Sequence, residues 1–213
     1  MRFFASLSLL AALAVLPGAA SATTIFTDGF NAATNPGLTV TTTVGNFNVV
    51  APTNVDLLGP GTGTNYGYLC SPGASQCVDL NGTGGTSSGI IQSNILFAPG
   101  SYLLSFDLIG SGRGPTTSTQ VTFGNYSQTF TLGSSDNTTG NIVNLSVIVG
   151  AGGSYLTFQD LNGNTNQGSV LNTASVSTRV STSPVPEPSS LALLGSGILS
   201  GVGVLSRRRK QTV

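Results

Sequence analysis

Six aspartates (Asp28, Asp56, Asp79, Asp107, Asp136 and Asp160), two cysteines and a few tyrosines are the interior side chains able to ligate, exchange protons or cross-link. Histidine is absent, which removes serine and cysteine triads of the common kind, and no Gly-x-Ser-x-Gly elbow precedes a helix. Glycoside hydrolysis needs two carboxylates flanking one sugar bond. Asp79, Asp107 and Asp160 are the residues to supply such a pair, but each sits beside a turn or on a strand amid Ser and Asn. Asx-turn or solvated roles are the simpler expectation for them, so the chain is expected not to be an enzyme. Calcium suits scattered Asp, Asn and carbonyl oxygens better. Asp28, Asp160, Asn162 and Asn164 are its candidate ligands as a structural ion, and no other cofactor is expected. The run Asp160-Leu161-Asn162-Gly163-Asn164 alternates oxygen side chains, yet it lacks the bidentate Glu of an EF-hand.

Carbohydrate binding would call on aromatic platforms and planar amides. Tyr66, Tyr68, Tyr126, Asn65 and Asn125 are the candidates, but tryptophan, the strongest stacking residue, is absent. Core or edge packing is the alternative role for each tyrosine. The short glycine-rich stretches Gly59–Gly63 and Gly82–Gly85 lack the following helix and Lys of a phosphate loop and read as loops.

Charged residues make up only 7% of the 213-residue chain, against about 25% in an ordinary soluble domain. Five of the seven basic residues, Arg2, Arg207, Arg208, Arg209 and Lys210, lie at the termini, leaving Arg113 and Arg179 against six aspartates. No basic surface for nucleic acid follows from that distribution. Arg2, the apolar run Phe3–Leu16, Pro17-Gly18 and Ala20-Ser21-Ala22 have the order of a secretory signal peptide, cleaved after Ala22 by signal peptidase. Export places Cys70 and Cys77, the only cysteines, in an oxidising compartment, so a disulfide closing the short loop between them is expected.

At the other terminus the apolar run Ser189–Leu205 has 17 residues, just enough for one transmembrane helix across a hydrocarbon core about 30 Å thick. Gly195, Gly197, Gly201 and Gly203 each weaken that helix by roughly 1 kcal/mol relative to Ala. A temporary membrane stop therefore suits it better than a permanent anchor. The cluster Arg207, Arg208, Arg209 and Lys210 keeps that end cytoplasmic and leaves residues 23–188 outside. Pro184, Pro186 and Pro188 force an extended stretch before the span, a shape that fits a protease cleft. Val185-Pro186-Glu187-Pro188, the glycine-rich segment and the terminal Arg cluster together resemble the PEP-CTERM sorting signal of Gram-negative bacteria, over residues 184–210. The resemblance implies processing by an exosortase, with Pro186, Glu187 and Pro188 as recognition residues. It also implies an inner-membrane intermediate, and then a place at the cell surface or in an exopolysaccharide-containing matrix.

Between residues 23 and 183 the repeating signal is short apolar–polar alternation bounded by Gly, Asn, Pro and Ser. It predicts strands over Gly89–Phe97, Ser101–Ile109, Thr119–Phe123, Gln128–Leu132, Ile142–Val149, Tyr155–Gln159 and Val170–Val180. The expectation is an all-β, antiparallel, jelly-roll-like sandwich, with Leu104, Phe106, Leu108, Val121, Phe123, Leu145, Val147, Leu156 and Phe158 in its core. The runs Cys77–Gly82, Gly89–Ser93 and Ala98–Phe106, with later strands at Tyr155–Asp160 and Ala174–Val180, resemble the galactose-binding-like jelly rolls of secreted bacterial proteins. Three functions follow as expectations. The first is an exported, non-catalytic, exosortase-processed surface or matrix protein associated with exopolysaccharide. The second is a carbohydrate-binding module for the host's own exopolysaccharide, and the third an aspartate-dependent glycoside hydrolase.

Overall fold

The computed structural model describes residues 22–31, 37–59, 69–71, 74, 76–84, 87–114, 116–137, 142–163 and 165–179. They belong to one compact unit, Ala22–Val180. The expected signal peptide core, transmembrane segment 189–205, Pro186-Glu187-Pro188 and Arg207–Lys210 lie outside the described residues. No helix among the described residues is long and apolar enough to cross a membrane.

Among the described residues thirteen strands build two antiparallel sheets, because Thr-, Val- and Phe-rich runs fit a pleated, half-buried surface. In chain order they are β1 Thr24–Asp28, β2 Gly37–Val40, β3 Thr43–Val44, β4 Phe47–Val49, β5 Val55–Leu58, β6 Cys77–Asp79 and β7 Ile90–Ser93. The second half adds β8 Gly100–Ile109, β9 Thr117–Phe123, β10 Tyr126–Leu132, β11 Ile142–Val149, β12 Thr157–Asp160 and β13 Val170–Thr178. One sheet runs β11-β8-β13-β6-β5-β2, with β1 also pairing β13; the other runs β10-β9-β12-β7-β4-β3. Every expected strand from residue 89 onward is found, and the expectation missed β1 to β6. Those six are two to five residues long, too short for alternation to be read with certainty.

The sheets enclose a core in which rings from both meet edge to face. Phe106 of β8 lies between Phe130 of β10 and Phe158 of β12, with ring centroids 5.4 Å apart in each case. Phe158 continues the chain of rings to Phe47 and Phe26, at 5.9 and 5.2 Å. Such geometry contributes about 0.5–1.5 kcal/mol per pair beyond area burial. All nine expected core residues pack in this cluster, but Leu145 is only half-buried, since its strand β11 is the outermost of its sheet.

A second, smaller core lies on the opposite face of the first sheet. Leu58, Leu69, Cys70, Cys77, Ile109 and Val170 form it, and Cys70 and Cys77 are joined as expected. The disulfide loop is held against β8 and β13 by three bonds. Asn172 accepts from the Ser71 amide (2.8 Å) and donates to Ser71 Oγ (2.8 Å), which donates to Asp107 Oδ2 (2.8 Å). The polar pair thus occupies a β-bulge of β13 between Leu171 and Thr173 and turns one end of an otherwise outward face into a buried one.

Candidate functional site

Alternation on the second sheet sends Phe47, Ile91, Val121 and Phe158 inward, so the residues between them face out. Strand register then lines those outward residues up. Ser127 pairs with Thr122, Thr122 with Thr157, Thr157 with Gln92, Gln92 with Asn48, and Asn48 with Thr43. This row of hydroxyls and amides crosses all six strands, a distance of about 24 Å at ~4.8 Å per strand. A parallel row two residues along the strands pairs Thr129 with Gln120, Gln120 with Gln159, and Gln159 with Ile90. No residue of either row is charged. Hydroxyls and primary amides both donate and accept, so the face can exchange hydrogen bonds with a polyhydroxylated surface and has no charge to attract an anionic or cationic one.

A cleft of about 470 Å³ opens where this face meets the loops, lined by Thr53, Ser87, Ser88, Ile90, Gln159, Asp160, Leu161 and Gly163. Asp160 at its wall is fully buried. Its carboxylate accepts from Asn81 Nδ2 (2.9 Å) and from the Asn162 amide (3.0 Å) and side chain, and burial raises its pKa against those bonds. Asn81, also buried, gathers the loop above the cleft by donating to Gly163 O and Thr165 Oγ1 (3.3 Å) and accepting from the Asn166 amide (3.2 Å).

Asp79 underlies that loop. It pairs with Arg113 and accepts from the Asn81 and Gly168 amides, both at 3.0 Å. Burial pushes its pKa up to about 7, against the opposing pull of Arg113. Gly168 is required at this point, because a Cβ there would lie 2.4 Å from the Asn81 nitrogen and 2.6 Å from Asp79 Oδ1. Asp56, on the neighbouring strand, accepts from the Thr39 and Thr83 amides (2.7 and 3.0 Å) and from Thr83 Oγ1 (2.7 Å).

The expected Asx turns are present at Asp79 and Asp160, each accepting from the amide two residues on, whereas Asp107 accepts from Ser71 Oγ instead. Asp28, for which no turn was expected, also accepts from the amide two residues on. The solvated alternative is corrected: Asp79 and Asp160 have no exposed surface and Asp107 keeps 8%, since loops fold over all three. Of the candidate calcium ligands, Asp160 and Asn162 are hydrogen-bonded to each other. Asp28 bonds the Phe30 and Asn46 amides, burial raises its pKa, and it shares no partner with Asp160. Asn162 turns back onto Asp160 and accepts from the Ser118 amide (2.9 Å), and Asn164 lies outside the described residues. Among the described residues no three acidic or cysteine side chains converge as a metal site.

Of the aromatic and amide candidates for a sugar, Tyr66, Tyr68 and Asn65 lie outside the described residues. Tyr126 packs half-buried on β10 and donates to Gln128 Oε1 (2.8 Å). Asn125 Oδ1 accepts from the Ile148 amide and the Asn125 backbone N–H donates to the Ile148 carbonyl, both at 2.9 Å. The outward rows were missed by the sequence reading. Alternation in Thr119–Phe123 and Tyr155–Gln159 already set Gln120, Thr122, Thr157 and Gln159 on a polar face, but their alignment depends on interstrand register.

The fold and this face define an all-β, jelly-roll-like sandwich that carries a sorting signal beyond its last strand. Residues 184–210 match the PEP-CTERM protein-sorting motif, a signal that implies export to the cell exterior through a membrane-anchored intermediate. No curated protein matches the sequence. Among solved structures the chain is similar to a family 35 carbohydrate binding module from Clostridium thermocellum, at 17% identity and a TM-score of 0.40, over 62% of this chain and 92% of that one. It is also similar to the K1 cleaved adhesin domain of Lys-gingipain from Porphyromonas gingivalis, at 12% identity and a TM-score of 0.45, over 74% and 99%. A third is the CBM22-1 xylan-binding domain from Paenibacillus barcinonensis Xyn10C, at 12% identity and a TM-score of 0.42, over 73% and 94%. The ligands of those modules are theirs.

Proposed function

We propose that the chain is a non-catalytic surface or matrix protein of a Gram-negative bacterium whose outward β10-β9-β12-β7-β4-β3 face lies against neutral exopolysaccharide. Signal peptidase would remove residues 1–22, segment 189–205 would hold residues 23–183 at the inner membrane, and an exosortase would act near Pro186-Glu187-Pro188. The observation that carries the glycan reading is the uncharged six-strand row of hydroxyls and amides. Such groups replace water on a neutral sugar polymer at little net cost, whereas a polyanion would call for Lys or Arg. With no tryptophan in the chain, each face binds weakly, and dense display on a cell supplies avidity. Hydrolysis is disfavoured because Asp79 and Asp160 are buried and already hydrogen-bonded.

Two measurements test the two halves. Mass spectrometry of the exported chain should find a new C-terminus near Pro186; an intact tail in a host with active exosortase overturns the processing step. Affinity electrophoresis of the full chain should show retardation by neutral host polysaccharide. The double variant Thr157→Val/Gln92→Val should reduce that retardation at least threefold with the fold unchanged. Equal retardation of the variant rejects this face.

A further inference from the structure

Among the described residues, the side of the sandwich formed by β10 and β11 carries no device against pairing with another strand. Those outermost strands have 7 and 8 residues, with no charged residue, proline or glycine among them. On the opposite side, β2 has four residues with an irregular register and β3 only two. Proteins blunt exposed edges by shortening, bulging or charging them, so one side is blunted and the other is not. Between β10 and β11 the core is incompletely covered: Tyr126, Phe130, Val143 and Leu145 pack against it while remaining partly exposed.

The backbone direction at this edge is set by Ile148. Its amide and carbonyl both bond Asn125, so they point away from β8. Antiparallel alternation then points the backbone groups of Ser146 and Asn144 outward as well. Asn125 closes one end of the edge, and among the described residues no strand pairs with the rest.

We infer that this side pairs with a second copy of the chain, β11 against β11 about a two-fold axis, continuing its sheet from copy to copy. An antiparallel pair needs one kind of strand to satisfy both partners, and the lack of charge means that opposing it with itself creates no repulsion. The same symmetry sets the half-exposed apolar seam against its own mate. An eight-residue strand is about 26 Å long and the two sheets lie about 10 Å apart. That side offers on the order of 260 Å² per copy, about a third of the ~800 Å² per partner typical of a stable pair. Association is therefore weak and rises with concentration. It does not depend on the glycan reading.

The test uses the full-length chain in detergent. Its cysteines are paired with each other, so Ser146→Cys adds a single free thiol, and Thr43→Cys on exposed β3 is the control. Ser146→Cys chains should couple into disulfide dimers at least tenfold faster than the control, faster still at higher concentration, and adding Asn144→Lys should suppress the coupling at least tenfold. Equal rates for the two thiols, or no effect of Asn144→Lys with the circular dichroism unchanged, overturn the inference. In the unmodified chain, exchange of the Ser146 and Asn144 amides should slow severalfold between dilute and concentrated solution, and a constant rate also overturns it.

Discussion

Asp79 combines complete burial with one guanidinium partner, and its titration reports which influence dominates. Burial outweighs the attraction of Arg113 and raises the carboxyl from 3.8 to about 7. A folded-state pKa above the unfolded one means that the folded chain holds the extra proton, so stability is full below about pH 4 and declines as pH rises through 7. Asp28 and Asp160 shift in the same direction. Urea denaturation should therefore show lower stability at pH 8 than at pH 5, and Asp79→Asn should flatten that slope; a steeper slope in the variant would contradict this account. Arg113→Met removes the partner of a buried carboxylate, a loss of about 3 kcal/mol where the carboxylate is ionised. The same urea titrations should show that loss at pH 8 and much less of it at pH 5.

The loops over the cleft are held by a few buried side chains rather than by apolar contact. Asn81 alone joins Asp160, Gly163, Thr165 and Asn166. Asn81→Ala should cost about 2–3 kcal/mol, the penalty for leaving buried partners unpaired, and hydrogen exchange should show residues 161–166 losing protection before the strands do. The disulfide loop behaves differently, because it is both cross-linked and packed. Cys70→Ser/Cys77→Ser should cost about 2 kcal/mol through unfolded-state freedom plus the loosened cover over Ile109 and Val170. Calorimetry should find a lower Tm for that variant with the outward row of hydroxyls still able to bind.

For the whole molecule, the two ends of the β unit are neighbours: Thr178 donates to the Thr23 carbonyl (2.8 Å), and Thr24 pairs with Ser177. The strand that opens the unit and the strand that closes it are thus stitched together, and the sorting motif at residues 184–210 follows a few residues after. Replacing Pro186-Glu187-Pro188 by three alanines should leave the sandwich folded and the chain full-length in the membrane fraction. Fractionation with immunoblotting would show it, and normal release of the variant would remove those residues from the recognition step.

The sorting tail was legible from sequence because its elements are local: a proline-bounded acidic residue, an apolar run and a basic cluster act through their order along the chain. The strands from Ile90 onward and their core residues were legible for a similar reason, since alternation of period two is a property of each strand by itself. The cross-strand row at Thr157, Gln92 and Asn48 was not, because register is a relation between segments far apart in sequence. Nor was the burial of Asp79 and Asp160, whose turns were foreseen but whose solvent is excluded by loops arriving from elsewhere. Local order along the chain thus determined export, sorting and an all-β unit. Tertiary structure alone decided which polar residues became one face, which carboxylates lost their water, and which strand edge remained open.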